Sequence, residues 1–221
     1  SKNAEQSSLK AKLQDFLAEG TAEANATIEQ NGGTLQFVTS MKETTERLMP
    51  ASASGGHQLE IELSAIGDRE KDMYFGPGEY DTRVKDAEAL AIFVTHVVNV
   101  IKNRMAGSPV EIRLFAEYFG SADGLPVNSG RLYNGRWGTQ IAIPAQQLLL
   151  NGVPSNFQLS AGDPITNRSL AVLRAYALYS LFNEYATRAG ITNLLASQRF
   201  IANESMRVSR GMRFAKIKLT I

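Results

Sequence analysis

Apolar and polar positions along the chain divide it into a short series of elements. Between residues 8 and 30, Leu9, Leu13, Phe16, Leu17 and Ile28 fall near helical spacing in a polar, alanine-rich stretch. That pattern predicts a helix with a narrow apolar stripe, ended by Asn31-Gly32-Gly33, where a left-handed cap is wanted. Residues 35–38 are a short strand candidate, residues 39–49 read as weakly helical, and residues 50–56 as a loop. Residues 58–63 alternate strictly, which predicts a half-buried strand. After a turn-rich stretch at Gly76-Pro77-Gly78, residues 86–104 place Ala87, Leu90, Ala91, Val94, Val97, Val98 and Ile101 on one face, the pattern of an amphipathic helix.

Ser108-Pro109 stops that helix and launches a strand over residues 110–116. Residues 120–166 are rich in Gly, Asn and Pro, with a strand-like stretch at 139–143 and a short helical run at 144–150. Residues 167–188 predict a strongly apolar helix, with Asp163 and Thr166 standing where caps are wanted. A stretch expected to be mobile follows, and residues 214–221 alternate as a closing strand. The order strand, helix, strand, insertion, helix, strand predicts an α+β fold, a mixed sheet with helices packed on one face. Residues 1–33 then form an N-terminal helical linker or stalk, and residues 34–221 one domain with an insertion at roughly 121–166, before the second core helix.

Composition narrows the function. The chain carries 23 basic and 22 acidic side chains and no Lys/Arg run, so a nucleic-acid partner is not expected. The absence of cysteine removes disulfides, thiol catalysis and thiolate metal sites. No apolar stretch approaches the roughly 18 residues needed to span a bilayer. The sequence begins at Ser1 without a signal peptide, and is expected to be a mature or truncated form whose export signal or membrane anchor has been removed. His57 and His96 have no second histidine at ligand spacing. There is no G-x-S-x-G elbow, and Gly76-Pro77-Gly78 lacks the Lys-Ser/Thr of a phosphate loop. No enzymatic activity, metal or cofactor is expected.

One segment is more specific. Asn167-Arg-Ser-Leu170-Ala-Val-Leu-Arg174-Ala175 resembles N-x-x-L-S-x-x-R-A, the pattern opening the second helix of OmpA/MotB-like peptidoglycan-binding domains, with Ala171 in place of the family Ser. Residues 110–120 resemble the strand leading into that family's G-H-T-D-x-x-G, with Glu117 set at the Asp. Phe75 resembles the phenylalanine before the first helix, and Arg213 with Ala215, Ile217 and Leu219 the closing strand. The resemblance covers roughly residues 73–221 and departs in its missing His-Thr-Asp triplet and in the long connection from Gly120 to Asn167.

The resemblance implies an OmpA-like βαβαβ layer and a periplasmic module that holds the peptidoglycan stem peptide without covalent bonds. The diaminopimelate of that peptide carries a carboxylate and an ammonium together. An arginine early on a helix clamps a carboxylate through two parallel N–H bonds, helped by main-chain N–H groups at the helix start, and an acid at the adjacent strand end takes the ammonium. By register Arg174 has the first role and Glu117 the second, with Asp163 and Asp123 as substitute acids and Asn167 and Leu170 completing the site. The module is then tied to the inner or outer membrane through a segment preceding Ser1, works within a motor-like or secretion-like envelope complex, and dimerises if its N-terminal helix is a coiled coil. An alternative is a structural subunit that has lost wall binding and docks partners through Tyr133, Trp137 and Leu148-Leu149-Leu150 of the insertion.

Overall fold

The computed structural model describes residues 2–32, 36–43, 59–66, 78–80, 92, 95–96, 99, 103, 114–128, 130–188, 190, 192–207 and 215–220. Helix α1 (Lys2–Gln30) starts earlier than its apolar spacing indicates. Leu17, Thr21, Ala24 and Ile28 are its buried stripe, spaced four, three and four residues apart, and Gly32 closes the helix in the left-handed region at φ 74°. Ile92, Thr95, His96, Asn99 and Asn103 are helical, in agreement with an element over residues 86–104. His96 Nδ1 lies 3.7 Å from Glu23 Oε2 of α1. His57 and Phe75 lie outside the described residues.

Among the described residues the main sheet has seven strands: β1 (Gln36–Glu43), β2 (Leu59–Ile66), β3 (Leu114–Ala122), β5 (Leu148–Leu150), β6 (Val153–Pro154), β8 (Leu195–Glu204) and β9 (Ala215–Thr220), in the order β1-β2-β9-β3-β8-β5-β6. It is mixed: β3 and β5 run parallel to β8, and the other pairs are antiparallel. The fold is thus α+β, as the element order predicts. Helix α2 (Asn167–Arg188) makes the crossover that the parallel pair β3 and β8 requires. Leu170, Leu173, Leu178 and Phe182 of α2 are buried to 2 % exposure or less, each worth about 1.5–3 kcal/mol. Among the described residues no helix is long and apolar enough to cross a membrane.

Three local expectations are corrected. Residues 39–43 are not helical but continue β1, because every residue from Gln36 to Glu43 finds a partner on β2. The supposed helical run at 144–150 is a turn followed by β5, which joins β6 through Asn151-Gly152, both at positive φ (50° and 79°), the backbone that a two-residue hairpin needs. The stretch after α2, expected to be mobile, is a short 3₁₀ turn (Thr192–Leu194) and the ten-residue strand β8. The strand-like stretch at 139–143 is found as β4 (Gln140–Ile143), paired with β7 (Phe157–Ser160) in a second, two-stranded sheet, and the same connection adds β5 and β6 to the main sheet.

Side chains offered as a docking surface on that connection are core. Tyr133 is 1 % exposed, Leu148 1 % and Leu150 4 %, and half-buried Trp137 packs on Tyr80 and Tyr176 with ring centroids 5.7 and 5.4 Å apart.

Candidate functional site

The start of α2 is set by local chemistry. Ser169 N donates to Thr166 Oγ1 at 3.2 Å, and Thr166 N donates to Ser169 Oγ at 2.8 Å. This is a reciprocal capping box with Ser in the place Glu commonly takes. Thr166 is therefore the cap, and Asn167 is the first helical residue. Asn167 is half-buried, and its Oδ1 is buried with no hydrogen-bond partner. Seven consecutive residues, Ser169 to Ala175, are buried, so this part of the helix is covered on all sides.

On one side the cover is β3. A Cβ placed on Gly120 would lie 2.0 Å from Ala171 O and 2.6 Å from Ala175 N. Helix and strand therefore touch backbone to backbone, which only glycine on the strand permits. Ala116, Tyr118 and Ala122 share the pleat face of Gly120 and are buried, and Tyr118 meets Tyr179 and Phe182 of α2 at 5.4 and 6.2 Å.

Among the described residues Arg174 is the largest fully buried side chain, at 0 % exposure. Its Nη1 donates to Ser121 O at 2.6 Å and its Nε to Glu79 O at 2.9 Å. The arginine thus joins α2, the C-terminal end of β3 and the segment Gly78–Tyr80. Asp123 follows Ser121 by two residues, just past the end of β3, and is 4 % exposed.

The other proposed acids lie elsewhere. Glu117 is in the middle of β3 rather than at its end, on the pleat face opposite to Gly120 and α2. Its Oε2 accepts from both Nε and Nη2 of Arg199, at 2.8 and 2.6 Å, across the parallel pair. The fold therefore does not bring Glu117 to Arg174. Asp163 is exposed, and its Oδ2 accepts the Ser160 amide at 2.7 Å, closing a turn. Leu170, at 2 % exposure, is a core residue. Of the five residues picked out as the site, Asn167 stands at the start of α2 and Arg174 about two turns further along it. The acid at the strand end is Asp123, one of the two substitutes.

Residues that sequence reasoning did not single out at this place are Glu79, Ser121 and Tyr80. The signal was present in part: Gly78, at φ 70°, marks a turn, but only the fold shows that it delivers the next carbonyl to Arg174. Among the described residues no group of three or more His, Cys, Asp or Glu side chains is placed to hold a metal. Compared with protein-family models, with curated proteins and with solved structures, the chain matches none.

Proposed function

We propose that this chain is a non-catalytic anchoring module of OmpA/MotB type that grips the peptidoglycan stem peptide in the periplasm. The observation that carries the reading is the convergence on Arg174. A helix-borne guanidinium reaches the end of a neighbouring strand, and an acid follows two residues later. A guanidinium held at a strand end and a carboxylate two residues past its contact are the donor and acceptor types that an amino acid's carboxylate and ammonium demand. Arg174 takes the carboxylate and Asp123 the ammonium; Asn167 supplies an unpartnered amide oxygen at the helix start.

Two further features support it. The N-x-x-L-x-x-x-R-A pattern coincides with the first residues of α2. With β3 running to Ala122, Gly120-Ser121-Ala122-Asp123 takes the register of the family's G-H-T-D, with its first Gly and its Asp but with Pro126 at its closing Gly, in place of the register that put Glu117 at the acid. Helix α1, whose stripe of Leu17, Thr21, Ala24 and Ile28 packs within the chain, is then the link to a membrane-held envelope complex.

Retention on purified peptidoglycan sacculi tests this. The wild type and Glu117→Gln are expected to be retained, while Asp123→Asn and Arg174→Lys are lost although folded by circular dichroism. No retention of the wild type, or equal retention of all four, would overturn the reading.

A second reading has one observation in its favour: Arg174 has no exposed surface, and its named acceptors are main-chain carbonyls. On that reading the arginine is a structural staple and the module a scaffold without wall affinity. The same experiment separates the two, since a scaffold leaves the wild type in solution.

A further inference from the structure

The sequence holds three Asn-Gly pairs, Asn31-Gly32, Asn134-Gly135 and Asn151-Gly152. Glycine leaves the peptide nitrogen after an asparagine unshielded, so that nitrogen can attack the asparagine's own side-chain amide. The fold holds the three pairs differently. At Asn31 the attacking nitrogen is engaged, since Gly32 N donates to Glu29 O at 2.9 Å. At Asn151 the side chain is drawn away to β8, where Oδ1 accepts the Glu204 amide at 2.9 Å and Nδ2 lies 3.5 Å from Glu204 Oε1.

At Asn134 the side chain turns back over the peptide that follows it. Its Oδ1 accepts the Arg136 amide, two residues on, at 3.0 Å, which closes an Asx turn. The Tyr80 hydroxyl donates to the same oxygen at 3.3 Å. Between them the Gly135 amide donates to no protein group, and Asn134 is exposed to water. The glycine is not incidental. Gly135 stands at φ 75°, and a Cβ on it would lie 3.3 Å from Ala161 Cβ. The turn therefore requires the residue type that leaves the nitrogen open.

We infer that Asn134-Gly135 is a self-modification site, where the folded chain converts its own asparagine to an aspartyl residue. Hydroxide takes the Gly135 N–H proton, and the nitrogen attacks Asn134 Cγ. The new N–Cγ bond places negative charge on Oδ1, where the Arg136 N–H and the Tyr80 O–H stand as a two-donor oxyanion hole. Such hydrogen bonds tighten as charge develops. Nδ2 takes a proton from water and leaves as ammonia, which closes a five-membered imide. Water then opens the imide at either carbonyl, giving aspartate or isoaspartate. One water is consumed and one ammonia released, with no change of oxidation state.

The two products act on the surroundings in opposite ways. Aspartate keeps both donors and makes their bonds charge-assisted, which strengthens the tie from Tyr80 to the β3–α2 connection. Isoaspartate lengthens the main chain by one methylene just before the turn that Trp137 N ties to the Tyr133 hydroxyl at 2.9 Å, and so loosens that tie. Neither effect depends on wall binding.

Peptide mass mapping of the full chain, incubated in mildly alkaline buffer, reads all three pairs at once. In guanidinium chloride the three asparagines should lose their amides at similar rates, since glycine follows each. In the folded chain Asn31 and Asn151 are expected to slow, while Asn134 reacts at least as fast as when unfolded. Tyr80→Phe, folded by circular dichroism, removes one donor. It is expected to slow Asn134 by about tenfold, short of the roughly hundredfold that a fully placed oxyanion donor contributes, and to leave Asn31 and Asn151 unchanged. Folding that slows Asn134, or an unchanged Asn134 rate in Tyr80→Phe, overturns the assignment; the first comparison needs no variant.

Discussion

Gly120 of β3 and Ala171 of α2 meet so closely that a Cβ on the glycine would lie 2.0 Å from the alanine's carbonyl oxygen. The obstructing atom is main chain, so no side chain placed at residue 171 relieves it. Gly120→Ala must push the helix off the strand and disturb the Arg174 contact to Ser121 one residue on. Overpacking of this kind costs about 1–3 kcal/mol, read as a lowered urea midpoint; an unchanged midpoint would show that helix and strand are further apart.

The capping box at the start of α2 predicts a moderate effect. Thr166→Ala removes the acceptor for the Ser169 amide and is expected to cost about 1 kcal/mol in equilibrium unfolding. Thr166→Ser keeps the oxygen and should recover most of that loss.

Alkaline stability should depend on Tyr118. Burial, then the neighbouring Tyr179, raises its phenol pKa well above the ordinary tyrosine value. Its hydroxyl donates to Gln198 Oε1 at 2.5 Å. The folded protein therefore keeps a proton that the unfolded chain loses near pH 10. The resulting stability is fully present below that pH and falls as pH rises further. Tyr176, raised by burial and then by Tyr179 and Tyr133, adds in the same direction. Thermal unfolding followed from pH 8 to pH 11 should show a decline beginning near pH 10, and a shallower one in Tyr118→Phe.

By contrast, the Glu117–Arg199 pair should matter little. Its side chains are 17 % and 45 % exposed, and ion pairs in such surroundings contribute roughly 0–1 kcal/mol. Glu117→Gln should shift the urea midpoint by no more than that and should soften with added salt. A loss several times larger would show that the pair organises the sheet.

Much of this fold is legible in local sequence, and the failures have a common cause. Helix α2 is readable because Thr166 and Ser169 cap it and its apolar residues repeat at helical spacing. The hairpin of β5 and β6 was signalled by Asn151-Gly152, but the apolar run Leu148-Leu149-Leu150 fits a helix as well as a strand until a partner decides. That partner is β8, about fifty residues further on, where Leu149 pairs with Ile201. The same holds for residues 39–43, whose strand character comes from pairing with residues 59–63 of β2.

The candidate site shows this most sharply. Arg174 and Asn167 are visible in one contiguous pattern. The acid is not, because it depends on where β3 ends, and that is set by pairing with β8 and β9. Once the strand runs to Ala122, Glu117 moves to the middle of the sheet and Asp123 to its edge. The contact from Arg174 to Glu79 spans 95 residues, a relation no local pattern carries.

The position of β9 has a consequence for how the molecule comes into being. Six residues, Ala215–Thr220, separate β2 from β3 and pair with both. A nascent chain synthesised as far as Glu204 already contains every other strand of the main sheet, yet in two unjoined halves with open edges at β2 and β3. Open edges of this kind invite pairing with another chain, and contacts between residues far apart in sequence form slowly. Assembly is therefore vectorial only up to a point: the middle of the sheet is supplied after all of its other described strands, and until it arrives the emerging chain has most need of a chaperone.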